Sequence, residues 1–408
     1  MMNKIYGVSK KQRIPVIFDP ILTEDGQYNV YNDDGYNLLS IENYKYIKTH
    51  PISCDYVLIK SDGRSGLSLE EQYNKFVKDA DLMKTLTGGQ VNLYKSGRNP
   101  TTALKLIYEH LNELNIVAEE ITEKEAEWLE NASLGAMVFA EKYEGPAWKY
   151  DINSFYPDIY SNKSFNVPIK QGRFLKISKT FFNQMRGVHK IGIYRAIVTY
   201  PDDDKKWHKL FKLNPNDFYT YYELRYAHKL NLEIELIVDG DDNFLYYGDK
   251  GVCVKGDKFF GKFVKLLYPL KSKCARAKQL LNCLWGCLSQ SFNVIVKVDD
   301  DGYDIWNADN ILSKMELQAD DTYKLTLTKK SKRFETNYAR IKPFVLSKAR
   351  VRIAQLFEDH VEHVKRCHTD SVVSDIELPY QISRELGAFK LEEVGTCIIK
   401  NCNSCKFE

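Results

Sequence analysis

A short polar turn in the last tenth of the sequence most constrains the fold. The run "IKPFVLSKARVRIAQLFEDHVEHVK" places apolar residues at helical spacing, which predicts a long packed helix. His-Thr-Asp-Ser (368–371) comes next, and the β-branched run "SVVSDIEL" then reads as a strand. We therefore predict that Asp370 lies in the turn of a β-hairpin or in a short stretch that enters one. Because Asp is a common turn residue, its role depends on its neighbours.

A second aspartate ends another predicted strand. In "GPAWKYDINSFYP", Trp148 and Tyr150 suggest a strand that leads to Asp151, and Pro157 is tolerated near the start of the helix that follows. Two carboxylates from separate strands can share divalent cations. Mg²⁺ prefers a few carboxylates together with substrate phosphates. An isolated aspartate at a strand end is, however, usually a cap or a turn residue.

A basic window lies between the two aspartates. Residues 258–297 contain no Asp or Glu, although the whole chain has a net charge of only +3. Two helical stretches around Pro269 carry most of these charges. Such a local field attracts phosphates, but it is also typical of a solvated helix face. The basic residues are Lys258, Lys262, Lys265, Lys271, Lys273, Arg276, Lys278 and Lys297.

Length and local pattern predict an α+β protein of two to three domains. Residues 1–130 read as a mixed α/β domain, with strands at "IPVIFD" and "CDYVLIK". Helices are predicted at "LEEQYNKFVKDADLMKTL", "TTALKLIYEHLNEL" and "TEKEAEWLENASLGAMVFAEKY". Thr122 and Glu125 resemble a capping box that opens the third helix.

Cysteine usage predicts an intracellular, reduced protein. The nine cysteines form no disulfide-like framework, and no signal peptide or membrane-length apolar run is visible. Cytoplasm, virus factory, nucleus and organelle all stay open. Cys397, Cys402 and Cys405 could bind zinc, but no fourth ligand is obvious.

Three motifs in order resemble those of family B DNA polymerases. "DINSFYP" resembles motif A (D-x-x-S-L-Y-P), "KQLLNCLWG" resembles motif B (K-x3-N-S-x-Y-G) and "HTDS" resembles motif C (Y-x-D-T-D-S). The flank "LYPLK" and the long helix before motif C are similar to the protein-primed branch of phages, viruses and linear plasmids. The resemblance covers roughly residues 130–390, and we recognise no family for residues 1–130.

The resemblance implies a polymerase palm with helical fingers, an N-terminal α/β domain and an abbreviated thumb. The implied division is listed in chain order: 1–130 N-terminal domain of unknown role, 131–250 first part of the palm, 251–292 fingers, 293–385 second part of the palm, and 386–408 a short C-terminal or thumb remnant.

The resemblance also implies roles for individual residues. Asp151 and Asp370 match the catalytic, metal-binding aspartates, with the backbone carbonyl of Ile152 beside Mg²⁺ or, as an alternative, Mn²⁺. Tyr156 matches the residue that blocks a ribose 2′-hydroxyl. The other nucleotide-binding matches are Lys271, Lys278 and Asn282. The DNA-binding matches are Ser154, Trp285, Gly286, Thr369 and Ser371.

Some positions depart from the family motifs. Cys283 stands where motif B has Ser, and Trp285 replaces Tyr but keeps an aromatic surface. His368 stands where motif C has its first Asp, after Cys367 at a variable position. A neutral imidazole can lie near a metal, and Mn²⁺ tolerates imidazole better than Mg²⁺ does. This departure questions the rate of catalysis more than the fold.

The predicted function is a DNA-directed DNA polymerase that uses deoxynucleoside triphosphates and a primer-template, with a terminal protein or other replication subunits as further partners. No D-x-E motif precedes Asp151, so we expect no proofreading, and the 38 residues after Asp370 leave room only for a short thumb. The alternative is a weakened or inactive homologue that serves as a nucleic-acid-binding replication subunit. RNA-templated or untemplated synthesis is a third reading.

Overall fold

The computed structural model describes residues 9, 11–51, 53–298, 309–317 and 322–408. The described chain forms two compact units, and each is built from two separate stretches. The first unit contains the residues up to Ile116 together with 260–287, and the second contains 117–259 together with 288–408. The five-part division implied by the polymerase motifs stays a prediction.

The described residues before 117 contain β1 (Ile14–Leu22), β2 (Gln27–Asn32), β3 (Gly35–Ser40), α1 (Ile41–Thr49), β4 (Tyr56–Lys60), α2 (Leu69–Leu86), α3 (Leu93–Ser96) and α4 (Asn99–Glu113). The strands form one sheet in the order β3-β2-β1-β4, in which only β1 and β4 are parallel. Ser68 and Glu71 form a capping box at the start of α2, and Pro100 lies in the first turn of α4. The strands and helices predicted for this region are confirmed.

The middle of the chain contains α5 (Glu123–Asn131), β5 (Val138–Ala140), β6 (Tyr143–Ile152), α6 (Phe155–Ser161), β7 (Asn166–Pro168), β8 (Arg173–Leu175), α7 (Lys179–Gln184), β9 (Gly192–Thr199), α8 (Lys206–Leu210), β10 (Phe218–Thr220), α9 (Tyr221–Lys229), β11 (Glu233–Leu236), β12 (Phe244–Tyr246) and β13 (Cys253–Lys255). A sheet in the order β10-β9-β12-β8 forms here, with β11 also paired to β9, and β13 pairs with β7.

The remaining elements are α10 (Gly256–Leu267), a 3-10 turn (Tyr268–Leu270), α11 (Ala275–Leu288), β14 (Asn293–Val298), β15 (Asn310–Leu317), β16 (Tyr323–Lys329), α12 (Ile341–Phe357), a second 3-10 turn (Glu358–His360), β17 (Val364–His368), β18 (Ser371–Ser374), β19 (Phe389–Asn401) and β20 (Ser404–Phe407). Strands β14, β16 and β15 form a three-stranded sheet.

The largest sheet of the second unit has six strands in the order β20-β19-β6-β18-β17-β5, and all neighbours are antiparallel. Strand β6 lies near its middle and ends at Asp151 and Ile152. The predicted hairpin is confirmed, because β17 and β18 pair and leave Thr369 and Asp370 in the turn. Residues 389–407, within the segment predicted as a thumb remnant, form two strands of this same sheet.

The single helix predicted over residues 122–143 is wrong in its second half. Helix α5 ends at Asn131, and Val138–Ala140 instead pairs with β17. The capping box predicted at its start is only half formed. Thr122 Oγ1 accepts from the Glu125 N–H at 3.2 Å, but the Glu125 carboxylate is bound elsewhere, to Arg340 and Tyr247. Tertiary pairing therefore outweighs the local helical pattern here.

No helix in the described part of the chain combines the length and hydropathy needed to cross a bilayer.

Candidate active site

Asp151 and Asp370 meet at one end of the six-stranded sheet. Strands β6 and β18 pair so that Ser371, the residue after Asp370, lies opposite Asp151. The Ile152 N–H donates to the Asp370 carbonyl at 3.0 Å, which ties the hairpin turn to the end of β6. The structure thus brings together two aspartates that are more than 200 residues apart in the sequence.

The surroundings of this pair disfavour two negative charges. Burial, and next the nearby Asp151 carboxylate, raise the pKa of Asp370 to about 6. The Asp151 carboxylate accepts from Lys390 Nζ at 2.9 Å. A divalent cation shared by the two carboxylates would relieve their repulsion, so the donor set and its charge fit a metal such as Mg²⁺.

The segment that follows Asp151 and the turn that carries Asp370 each contain a residue with left-handed backbone. Ser154 has φ 50° and Thr369 has φ 64°. The conformation is unusual for a β-branched residue such as Thr369, and its N–H is held by the Met137 carbonyl at 3.0 Å. Strained backbone of this kind is concentrated at functional sites, where the surrounding structure fixes it. Two residues predicted to contact DNA therefore set the path of the chain around the carboxylates.

A later segment locks the loop after Asp151. Asn153 N donates to the Ala388 carbonyl at 2.9 Å, and Gly387 N donates to the Asn153 carbonyl at 2.8 Å. Gly387 has φ 78°, and a Cβ on it would lie 2.4 Å from the Asp158 carboxyl carbon, so only glycine fits this approach. The sequence alone gave no signal for this lock, because its parts are more than 200 residues apart.

Tyr156 and Ser371 also lie beside the aspartates. Burial and, after it, the Asp370 carboxylate raise the pKa of Tyr156 to about 12, so its hydroxyl stays protonated at neutral pH. The Ser371 Oγ is buried and has no hydrogen-bond partner among the described residues. Buried polar atoms are rarely left unpaired, and an unmatched hydroxyl next to Asp151 suits a site that binds a polar ligand.

His368 ends strand β17, opposite Ser371 on one side and Val138 on the other. It is partly exposed, whereas its neighbour Cys367 is fully buried, and burial raises the pKa of the Cys367 thiol. The alternation of a strand accounts for this difference. His368, the residue predicted to stand at the first Asp position of motif C, thus lies on the more accessible side of the strand.

Two charged residues of β19 complete the site, and sequence reasoning missed both. Lys390 lies opposite Asp151 in the strand pairing, and its ammonium also donates to Glu392 Oε1 at 2.6 Å. Glu392 in turn lies 3.4 Å from Lys149 Nζ. No local motif marks these residues. Only the register of β19 against β6 places them beside Asp151.

The predicted motif B residues lie on one helix of the first unit. Lys278, Asn282 and Gly286 are spaced four apart on α11, so they share a face, and all three are exposed. The opposite face is apolar and buried; its residues are Ala277, Leu280, Leu281, Leu284 and Leu288. Trp285 is partly exposed. Lys271 follows the 3-10 turn, with its Nζ 5.9 Å from the centre of the Tyr268 ring.

Part of the basic window is compensated inside the first unit. Lys262 Nζ lies 2.5 Å from Glu113, and Arg276 lies 3.5 Å from Asp79. The side chain of Lys297, the last member of the window, lies outside the described part of the structure. The positive charge available to a ligand is therefore smaller than the sequence suggests. The exposed Lys278 contributes to this remaining charge.

The C-terminal cysteines form a pair rather than a metal cluster. Cys397 and Cys405 approach with their sulfurs 3.4 Å apart, across strands β19 and β20. Within residues 9–408, apart from the gaps given above, no three side chains of Cys, His, Asp or Glu form a cluster, whereas a structural zinc site uses four such ligands. The zinc interpretation gains no support from this arrangement.

Comparison with known proteins gives a fold. No family model matches the chain, and no curated protein matches it. Among solved structures, Phi29 DNA polymerase complexed with single-stranded DNA matches with a TM-score of 0.57 and 14% identity over 83% of this chain. The same polymerase with primer-template DNA (post-translocation binary complex) matches with a TM-score of 0.54 and 12% identity over 95% of this chain.

The ternary complex of that polymerase, with primer-template DNA and incoming nucleotide substrates, matches with a TM-score of 0.52 and 14% identity. The chain spans 58% of the first of these polymerase chains and 60% of the ternary-complex chain. At identities this low the likeness concerns the fold alone. The chain is a mixed α and β protein whose fold is similar to that of Phi29 DNA polymerase.

Proposed function

We propose that this protein is a DNA-directed DNA polymerase that adds deoxynucleotides to the 3′ end of a primer by two-metal nucleotidyl transfer. The observation that carries the proposal is the meeting of Asp151 and Asp370 at the end of one sheet, within a fold similar to that of Phi29 DNA polymerase. The three motifs supply the residue types that this chemistry uses, in the order in which the resemblance requires them.

Asp151 and Asp370, with the backbone carbonyl of Ile152, would hold Mg²⁺ or Mn²⁺. When bound, the metals supply Lewis-acid stabilisation of the charge that develops during phosphoryl transfer. The protein's own residues position the reactants. The left-handed Thr369 and the bond from Ile152 to the Asp370 carbonyl fix the two carboxylates before substrate arrives.

The nucleotide-binding roles follow from the motif matches. Tyr156 carries a protonated hydroxyl close to Asp370, and in the proposal its ring excludes a ribose 2′-hydroxyl. Lys278 and Lys271 would neutralise the triphosphate, while Asn282 would shape the pocket of the new base pair. On the DNA side, Ser371 offers an unmatched hydroxyl, and Trp285 offers an aromatic surface for the templating base.

The finer assignment is the protein-primed branch of family B, in viral or plasmid-type replication inside a cell, with a terminal protein or other replication subunits as partners. It rests on "LYPLK" before motif B and on the long helix α12 before motif C. Proofreading is not part of the proposed activity, because no D-x-E motif precedes Asp151 in the printed sequence.

A second candidate function is a catalytically weakened homologue that binds nucleic acid as a replication subunit. Two observations favour it. An imidazole, His368, replaces one motif C carboxylate, and the ammonium of Lys390 contacts the motif A carboxylate. Both reduce the negative charge that attracts divalent metal.

The decisive experiment is primer extension by the Asp151→Asn variant in Mg²⁺ and in Mn²⁺. We expect extension to fall at least about a thousandfold, equivalent to about 4 kcal/mol in activation free energy, while affinity for primer-template DNA measured by fluorescence anisotropy hardly changes. Asp203→Asn is the matched control, since Asp203 is an exposed aspartate of the same unit. Undiminished extension by Asp151→Asn would refute the proposal.

His368 separates the two candidate functions. If the protein is an active polymerase, His368→Asp should keep or raise the extension rate in Mg²⁺, because it restores a carboxylate beside the pair. If neither the native protein nor His368→Asp incorporates nucleotides under either metal, the second function is the correct one. A rise in Mg²⁺ but not in Mn²⁺ would assign the imidazole a role in metal choice.

A further inference from the structure

The ammonium of Lys390 lies against the Asp151 carboxylate and gives it a positively charged partner. Strands β19 and β6 place the two residues directly opposite each other, with Nζ 2.9 Å from Asp151 Oδ2. The same ammonium lies 2.6 Å from Glu392 Oε1. Although burial opposes the charge, Glu392 and Asp151 raise the pKa of Lys390 above its ordinary value, so the group is a cation at neutral pH.

An irregularity in β19 creates this contact set. The register shifts between Leu391, which faces Tyr150, and Glu393, which faces Lys149, so Glu392 is an extra residue in the strand. Glu392 thereby approaches both Lys390 and Lys149. Lys390 is thus held by two carboxylates, and it retains the bond to Glu392 if it gives up the one to Asp151.

Two cations compete for one carboxylate. Mg²⁺ binds carboxylate oxygens at about 2.0–2.1 Å and attracts further oxygen ligands around it. An ammonium held on the same carboxylate repels a divalent ion, and in a partly buried site this repulsion is poorly screened. Asp151 and Lys390 are both only partly exposed, so the contact lies in such a site.

We propose that Lys390 is the resident counter-ion of Asp151 and must withdraw toward Glu392 before a divalent cation binds between Asp151 and Asp370. Lys390 then acts as a positioning residue: it stabilises the metal-free site and sets the metal concentration at which the site fills. This inference rests on the proposed function, because it assumes that the aspartate pair binds metal.

The test is a titration of the full chain with Mn²⁺ alone, in which free Mn²⁺ is followed by electron paramagnetic resonance at pH 7.5. Lys390→Met keeps the length of the side chain and removes the charge, and we expect the Mn²⁺ dissociation constant to fall about tenfold. Lys149→Met is the matched control. It removes one charge from the same sheet and a contact with the same Glu392, yet Lys149 does not touch Asp151.

The outcomes separate the inference from the proposed function. Unchanged or weaker Mn²⁺ binding in Lys390→Met would overturn the inference, and so would an equal gain in Lys149→Met. Asp151→Asn serves as the reference for the site itself: if it binds Mn²⁺ as the native chain does, the proposed function fails instead. A thermal unfolding curve of each variant shows whether the substitution affects folding. Lys390→Arg keeps the charge and should bind Mn²⁺ like the native chain.

Discussion

The second unit places its buried and half-buried carboxylates in two contrasting environments. Glu125, which is 1% exposed, receives two hydrogen bonds from the Arg340 guanidinium, at 2.7 and 2.6 Å, and a third from the Tyr247 hydroxyl at 2.7 Å. Glu223 is likewise bound by Arg350 and by the Thr220 N–H and hydroxyl. At the candidate active site, by contrast, two carboxylates face each other, and only Asp151 has an ammonium partner.

The difference separates carboxylates that stabilise the fold from carboxylates that destabilise it. A guanidinium with complementary hydrogen bonds cancels a buried carboxylate, and Arg340 uses its other N–H groups on the carbonyls of Glu119 and Glu120. Such a pair ties α12 to the segment before α5. A pair of carboxylates in which only one has a cationic partner destabilises the fold, and such pairs are concentrated at functional sites.

The largest expected effect comes from breaking a matched pair. Glu125→Gln leaves the Arg340 charge buried without its counter-ion, and loss of one partner of a buried pair costs about 3–5 kcal/mol in the free energy of unfolding. Urea unfolding followed by circular dichroism measures this loss. Glu127→Gln, on an exposed position of the same helix, should change the free energy of unfolding by less than about 0.5 kcal/mol. Equal effects of the two substitutions would remove the contrast between the two kinds of acid.

At the candidate active site, the charged carboxylate of Asp370 should instead lower the free energy of unfolding. The folded-state pKa of Asp370, about 6, lies above its ordinary value of 3.8, so the folded chain binds more protons than the unfolded chain between these pH values. The contribution of Asp370 is therefore fully favourable below pH 3.8 and is lost as pH rises through 6. Above pH 7 the loss reaches up to about 3 kcal/mol, at 1.36 kcal/mol for each pH unit of the shift.

Asp370→Asn removes this titration and the repulsion from Asp151. In chelator, we expect the variant to be more stable than the native chain at pH 8 by up to about 3 kcal/mol, and the difference to vanish toward pH 4. Chemical unfolding at several pH values measures it. A stabilisation of the same size at pH 4 and pH 8 would mean that the charge of Asp370 is not its source.

Local patterns predicted the parts of the site that are local. These parts are the strand that ends at Asp151, the hairpin around Asp370 and the helix that carries Lys278, and each depends on a few consecutive residues. The order of the motifs along the chain then linked the three elements in the prediction. Lys390 and the Glu125–Arg340 pair could not be predicted, because each depends on the register or packing of segments more than 200 residues apart. For the same reason the helix predicted over 122–143 is wrong in its second half, where Val138–Ala140 pairs with β17.

A third region of the molecule contains two titratable histidines that are neutral in the folded chain. His189 is fully buried, and its ring stacks on His228 with the ring centres 4.9 Å apart. Burial, followed by the neighbouring His228 and Arg225, lowers the pKa of His189 to about 3, and burial lowers that of His228 to about 4. None of their ring nitrogens has a hydrogen-bond partner in the described structure.

This neutral pair should give the smallest of the three effects, and it should appear only in acid. The unfolded chain binds protons at these histidines below pH 6.5, and the folded chain does not until about pH 3–4, so stability falls as pH drops below 6.5. His189→Phe should reduce the loss of stability between pH 7 and pH 5 by about 2 kcal/mol, since 1.5 pH units below the unfolded pKa correspond to that free energy. Because the comparison is between two pH values for each protein, any packing cost of the larger ring cancels. The exposed His208, changed to Phe in the same way, is the control, and the same reduction there would show that the effect does not arise from burial.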